Sequence, residues 1–326
     1  MRESSIVTFG SPLIDVIVNV DDSFLNKFNL EPNNATAVGE ESEIFEAIQA
    51  SSPKYVVGGC ALNTARVLKH VSKDLLCTVI GAVGDDDYAQ LVKRQLDQDH
   101  VRYVFVTVPK TTGRCAVLLN EDNRSLCTDL GASKFFTLEH LKRKEVWDYV
   151  QTGSCIYVPG FFLSVSVDCV LTIAKNTTEK IFALNLSAPF IVERYSQEIF
   201  WLLPYVDLLF GNESELRALA RAFGFTSKNL NQISKYVYTL NCRDKSMVMV
   251  ITRGSKSVFL VHNNEITKHR VKTLDKSRIK DTSAAGDAFV GGFLGSFVSG
   301  ESLDACVSCG INVAQTVIQS SGCWFE

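Results

Sequence analysis

Asp281, Thr282, Ser283, Ala284, Ala285, Gly286 and Asp287 run directly into an apolar, helix-like segment that continues through Phe293. Small residues ahead of a helix leave its first N–H groups uncrowded. Those unpaired donors and the positive end of the helix dipole together make a seat for a phosphate group. Asp287, an acid in the same first turn, contributes nothing to holding an anion. It suits a different task, which is taking the proton from a hydroxyl that attacks the phosphate. An acid in a first turn also stabilises a helix by about 0.3–1 kcal/mol without any ligand, so the assignment needs support from the rest of the chain.

That support comes from a second turn rich in small residues. Tyr55-Val56-Val57 is predicted as a strand ending at Gly58-Gly59, followed by a helix that reaches residue 70 and carries Asn63 one turn in. Paired glycines let a ligand approach the backbone closely, and an Asn side chain both donates and accepts. Farther upstream, Ile14, Val16, Val18 and Val20 alternate with Asp15 and Asn19, the pattern of a strand with one wet or ligand-facing side that includes Asp15.

The elements that must position these groups follow a repeating rhythm. A buried first strand over 6–9 is predicted, then a short helix capped by Asp22 and running through Phe28, another over 40–50, a strand over 75–80 and a helix over 88–98 that opens on acids. Segments 103–108, 114–120 and 124–130 read as three β runs, the last two joined through Glu121-Asp122-Asn123. They interrupt the alternation, so the later two are expected to join the 14–20 strand in a small covering sheet. From residue 138 onward strand and helix alternate, with one helix expected near 191–202, to a strand over 247–252. This predicts an α/β fold with a mostly parallel central sheet and helices on both faces. Ligands then bind at the carboxyl ends of the strands, where Gly58-Gly59, Asn185, Asn212 and Thr252-Arg253-Gly254 fall. Asn212 with Glu215 also has the spacing of a capping box, a structural role compatible with a ligand-facing one.

Composition removes several function classes. The 326 residues are 46% hydrophobic with a net charge of −3, and no basic run exceeds Lys142-Arg143-Lys144. No nucleic-acid footprint is implied. The most apolar stretch, residues 155–174, contains Pro159, Gly160 and Asp168, so no membrane span is expected. Ten cysteines are scattered through apolar segments and are expected to be reduced, with Cys306 and Cys309 as thiols on one helix face. The start of the chain carries no signal-like apolar region, so a cytoplasmic location is expected.

Taken together these residues resemble the ribokinase-like carbohydrate kinase family. Asp281 to Asp287 is similar to its D-T-x-G-A-G-D signature, and Gly58-Gly59 with Asn63 to its glycine pair. Pro12-Leu13-Ile14-Asp15, Asp122-Asn123-Arg124-Ser125-Leu126, Gly160-Phe161-Phe162-Leu163, Asn185 to Phe190, Gly211-Asn212-Glu213 and Gly322-Cys323 resemble its nucleoside-phosphorylating members. The likeness covers nearly the whole chain.

The resemblance implies transfer of the γ-phosphoryl of ATP, with Mg²⁺, to the 5′-hydroxyl of adenosine. Asp287 would be the base, its pKa lowered by the helix dipole, and Arg124 would reach the phosphates from the lid. The main-chain N–H groups of Ala284, Ala285, Gly286 and Asp287 would form the anion hole. Ser11, Leu13, Asp15, Gly58, Gly59, Asn63, Leu126, Phe161 and Asn185 would hold the nucleoside, with Phe161 stacking on adenine. Asn212 and Glu215 would organise Mg²⁺ through phosphates and water, and Thr252, Arg253 and Gly254 would lie against ATP. A large domain (1–12, 32–108, 131–326), a lid (13–31, 109–130) and a monomer are implied. The alternatives are a sugar kinase of the same fold and an impaired nucleoside-binding pseudokinase. Ala284, Ser283 and Ser11 depart from the family pattern, and weakened ribose or phosphate contacts are expected. Ala284 would cost about 1–2 kcal/mol if the position required a left-handed backbone.

Overall fold

The computed structural model describes residues 5–32, 35–121, 123–241, 246–320 and 322–323. Asp122, the middle of the expected 121–123 turn, and the first four residues lie outside the described set. Fourteen strands among the described residues form two sheets. In chain order they are β1 (Ser5–Phe9), β2 (Leu13–Asn19), β3 (Ala35–Ala37), β4 (Lys54–Gly58), β5 (Leu76–Val83), β6 (Arg102–Thr107), β7 (Thr112–Asn120), β8 (Asn123–Gly131), β9 (Cys155–Pro159), β10 (Ile181–Asn185), β11 (Leu208–Asn212), β12 (Val248–Thr252), β13 (Val258–His262) and β14 (Glu265–His269).

The large sheet has the order β14-β13-β12-β11-β10-β9-β1-β5-β6. It is parallel from β12 to β6, and β13 and β14 add an antiparallel edge. Strands buried on both faces read as continuous apolar runs, and β9 is buried at all five positions. Successive side chains go to opposite cores. Val7, Phe9, Met249 and Ile251 pack into one cluster, while Ile6, Val248 and Val250 pack into the other. The second cluster includes residues of the two helices that carry the candidate residues Asn63 and Asp287, Cys60–Val71 and Ala285–Val298. They pack so closely that a Cβ on Gly291 would overlap the Val67 side chain.

The small sheet has the order β3-β8-β7-β2-β4. The expected joining of the 14–20, 114–120 and 124–130 segments is observed, with β2 parallel to β7 and β7 antiparallel to β8. Two segments depart from expectation. Residues 35–37 and 54–58, assigned from sequence to the large domain, pair with β8 and β2 respectively. A Val-Val-Gly-Gly strand end looks the same in either sheet. What decides is the antiparallel partner Leu13–Ile17, which lies about forty residues away and leaves no local mark.

Smaller differences concern element ends. Asp21, not Asp22, caps the helix Asp22–Lys27, accepting from Phe24 N at 2.9 Å. The helix expected near 191–202 is two helices, Pro189–Arg194 and Ser196–Leu202. The acids opening the helix Asp87–Gln98 act structurally, as expected: Asp86 accepts from Ala89 N and from Thr112 N and Oγ1, fastening that helix to the start of β7. Nine of the cysteines lie among the described residues and all are free; Cys306 is buried and Cys309 half-buried.

Candidate active site

The helix Ala285–Val298 begins without a side-chain cap, at Ala284. Its first turn shows why an anion would be welcome. Ala285 N–H donates to Thr282 O at 3.2 Å, and the N–H groups of Ala284, Gly286 and Asp287 meet no protein acceptor among the described residues. The anion hole expected over 284–287 therefore loses Ala285 as a donor and keeps the other three. Space above Gly286 is open, with no atom within 4 Å of a Cβ built there. Ala284 has φ −91° and ψ 7°, so it bears no left-handed strain and the anticipated penalty does not arise.

Asp287 is buried beside this seat. Asn63 Nδ2 donates to Asp287 Oδ2 at 2.9 Å, and Thr64 Oγ1 donates to the Asp287 carbonyl at 3.3 Å. Burial pushes the Asp287 carboxyl up to about 7, hydrogen bonds from Asn63 and Cys60 pull it down, and Asp15 raises it further. The sequence argument from the helix dipole had the opposite sign. The dipole's contribution is small beside the loss of water around a carboxylate packed between two helices.

Asp15 stands on the half-buried face of β2, against Gly58 of β4. Burial lifts its pKa to about 6, Arg124 lowers it and Asp281 raises it. Gly59 has φ 101°, and a Cβ there would land on the Ser11 carbonyl oxygen, so only glycine lets β2 and the helix start meet this closely. Ser11 Oγ and Asn63 Oδ1 are both buried with no protein partner. Buried polar atoms are normally satisfied, so these two flanking Gly59 are where a ligand's hydroxyls would be received.

Asp281 joins the seat to the small sheet. Its Oδ1 accepts from Arg124 Nη1 at 2.5 Å and from Ser283 N at 2.9 Å, and its Oδ2 accepts from Gly322 N at 3.0 Å. Burial works against ionisation of Asp281, but the Ser283 and Gly322 hydrogen bonds and Arg124 outweigh it and hold the carboxyl below its ordinary value. Arg124 thus reaches across from β8 to the loop that forms the anion seat.

Other expected residues do not join this cluster. Phe161 follows β9 and packs on Phe190 with ring centroids 6.1 Å apart. Leu126 is half-buried on β8 opposite Val117, and Leu13 heads β2. Asn185 Nδ2 donates to Tyr157 OH at 3.4 Å while its Oδ1 accepts from Ser187 N. Thr252 Oγ1 donates to Gly211 O, and Arg253 bridges to Glu213 at 2.9 Å while lying over Phe259. Gly254 adopts φ 59° in open space.

Asn212 and Glu215 form the capping box their spacing allowed. Glu215 Oε2 accepts from Asn212 N at 2.9 Å, Glu215 Oε1 from Asn212 Nδ2 at 2.6 Å, and Asn212 Oδ1 from Glu215 N at 3.0 Å. Both carboxylate oxygens are engaged and burial raises Glu215 to about 7, which is a poor donor set for a divalent cation. Among the described residues no group of three or more His, Cys, Asp or Glu could hold a metal ion.

The family model of the pfkB carbohydrate kinases matches residues 5–325. The chain belongs to that family. Among curated relatives, adenosine kinase 2 of Arabidopsis thaliana is 33% identical over 97% of this chain and 94% of its own. The Saccharomyces cerevisiae adenosine kinase is 34% identical over 97% of this chain and 95% of its own. Among solved structures, Anopheles gambiae adenosine kinase in complex with P1,P4-di(adenosine-5) tetraphosphate is 35% identical, covering 99% and 98% of the two chains with TM-score 0.91. Schistosoma mansoni adenosine kinase with 2-fluoroadenosine aligns at 29% identity and TM-score 0.92, covering 98% and 97%. The ribokinase-like architecture implied by the resemblance is thus the one found in this pfkB family chain.

Two residues of this family site were not assigned a role from sequence. Asp281 was visible only as the first letter of a motif, and its role depends on Arg124 being 157 positions away. Cys60, whose thiol approaches Asp287, carried no signal beyond adjacency to Gly59.

The raised carboxyls fix the sign of a stability prediction. Asp287, Glu215 and Asp15 have ordinary values of 3.8, 4.5 and 3.8 and are lifted to about 7, 7 and 6 in the fold. Between those limits the native state binds more protons than the unfolded chain, so stability falls as pH rises and levels off above about 7. The unliganded protein is expected to melt at a higher temperature at pH 5.5 than at pH 8. Calorimetry giving a Tm that is flat or rising across that interval would contradict it.

Proposed function

We infer that this chain is an ATP-dependent nucleoside kinase that transfers the γ-phosphoryl group of ATP to the 5′-hydroxyl of adenosine, giving AMP and ADP in purine salvage. The single observation that carries this is the buried Asp287 carboxylate, held by Asn63 at 2.9 Å within one turn of three unpaired main-chain N–H groups. The adenosine kinases reported above support the choice of acceptor.

In this reading the nucleoside lies along the Gly58-Gly59 turn, with Asp15, Asn63 and Ser11 Oγ receiving ribose hydroxyls. The unpartnered Ser11 hydroxyl fits that role, so a Ser in place of the Asn that the resemblance leads one to expect there weakens the contact without abolishing it. Phe161 faces the base. Phe190, 46% exposed beside it, extends an aromatic surface that a free sugar could not use. Leu13, Leu126 and Asn185 border the same space, and Thr252 to Gly254 lie toward ATP.

Asp287 takes the proton of the 5′-hydroxyl late in a loose transition state. A pKa near 7 makes it a far stronger base than an ordinary carboxylate and keeps about half of it ionised at neutral pH. The N–H groups of Ala284, Gly286 and Asp287 receive the charge of the migrating phosphoryl group without reorganising. Arg124 must exchange Asp281 for phosphate oxygens to assist, which links phosphate arrival to release of that bridge. Mg²⁺ would come with the ATP phosphates and neutralise their charge, because Asn212 and Glu215 are spent on each other. The same reading carries a lid made of the small sheet β3-β8-β7-β2-β4 and a cytoplasmic monomer.

Transfer of radiolabelled phosphate from ATP is expected with adenosine and to be absent or far slower with ribose or fructose. Preferential labelling of ribose would establish the sugar kinase instead, and no labelling of any acceptor would establish the impaired binder.

A further inference from the structure

A cavity of about 750 Å³, lined by none of Asp287, Asn63, Asp15, Ser11 or Asp281, runs along β4, the edge strand of the small sheet. Its charged lining is of one sign. Lys54 comes from β4, Arg66 from the helix Cys60–Val71, Arg94 from the helix Asp87–Gln98, and Lys280 from the segment leading into the anion seat, with Gln95 and Gln98 beside them. No carboxylate lines it. Arg66 is 4% exposed and fixed on Asp99 at 2.5 Å, whereas Lys54, Arg94 and Lys280 make no ion pair with any described residue. In a chain of net charge −3, these three solvent-exposed cations concentrate positive potential on one concavity, which favours an anion there.

We propose that this cavity is a second anion site that takes an oligophosphate, either free or as the tail of a nucleotide. Long, mobile Lys and Arg side chains with two amides suit several phosphoryl oxygens at once. Apolar wall is present as well, from Val56, Val57 and Leu91, so an organic body attached to the phosphates could be covered. The site spans both halves of the molecule. Lys54 belongs to the small sheet, Arg94 and Lys280 to the body. Lys280 precedes Asp281, and both residues' N–H groups donate to Ile318 O. An occupant would therefore tether the small sheet to the segment whose Asp281 grips Arg124.

Calorimetric titration with inorganic tripolyphosphate tests this without any turnover, so its outcome is independent of whether adenosine is the acceptor. Three proteins are compared: the parent, Lys54→Glu/Arg94→Glu, and Gly286→Val, which fills the open space over the catalytic seat. The parent and Gly286→Val are expected to bind saturably at low salt, and the charge-reversed pair is expected to lose at least about tenfold in affinity. Lys54→Gln/Arg94→Gln, which leaves two exposed positions neutral, should lose affinity in the same direction. The β,γ-methylene analogue of ATP, titrated into Gly286→Val, separates the sources. Affinity equal to that of tripolyphosphate assigns the site to the phosphate chain, and tighter binding assigns it to a nucleotide. Binding that vanishes in Gly286→Val yet survives charge reversal, or no saturable binding by the parent, overturns the proposal.

Discussion

Asp287→Asn is expected to lower kcat for adenosine phosphorylation by about 10²–10⁴-fold while KM for adenosine changes little. The amide is nearly isosteric, and its oxygen can still accept from Asn63 Nδ2, which now reaches the Asp287 carboxylate at 2.9 Å. Binding geometry should survive, and only the proton acceptor is lost. The pH profile supplies a second readout that simple misfolding would not move. For the parent, kcat/KM should fall below about pH 7 as the Asp287 carboxyl takes its proton, and the residual activity of the Asn variant should lack that limb. The same variant should flatten the decline of Tm with pH. Turnover within threefold of the parent, or an unchanged acidic limb, would remove Asp287 from the role of base.

Gly59→Ala is expected to damage folding and substrate binding together. At φ 101° and ψ 127° an L-residue is outside the regions its Cβ tolerates, which costs on the order of 1–3 kcal/mol. The added methyl also meets the Ser11 carbonyl, a main-chain atom that cannot rotate away. Relief must come from shifting either the start of β2, with Asp15, or the start of the helix that carries Asn63. The expected result is a lowered Tm with a KM for adenosine raised by at least about tenfold, since a shift near 1 Å in positioning groups has effects of that size or larger. Gly254→Ala is the comparison: its φ of 59° is also left-handed, but nothing lies within 4 Å, so only a modest loss of stability and little change in KM should follow. Equal behaviour of the two variants would mean that strain alone, and not the close approach to Ser11, governs the Gly59 turn.

The contrast between these positions indicates what a sequence can carry. The seat over Ala284 to Asp287 was legible because small residues before a helix have a local meaning, and the strand and helix rhythm was legible because burial on two faces writes continuous apolar runs. The pairing of Asn212 with Glu215 was legible too, since a cap acts within one turn. The location of β4 was not legible. Its residues satisfy either sheet, and only the partner Leu13–Ile17 decides. The direction of the Asp287 shift failed for a related reason. A helix dipole is a property of the segment, whereas the burial that overrides it comes from the helix Cys60–Val71, more than two hundred residues earlier in the chain. Arg124 was placed near phosphates by resemblance, but its grip on Asp281 required the three-dimensional arrangement.

The route of the chain through Gly58 and Gly59 has a mechanical meaning. β4 belongs to the small sheet, and two residues later the chain is already in the helix that presents Asn63 to Asp287. The covering sheet is thus rooted beside the Asp287 carboxylate instead of at some distant joint. With Asp287 as the proposed base, a tilt of that sheet on engaging its guest would turn about a pivot beside it, so gripping the nucleoside and aiming the proton acceptor would become one movement.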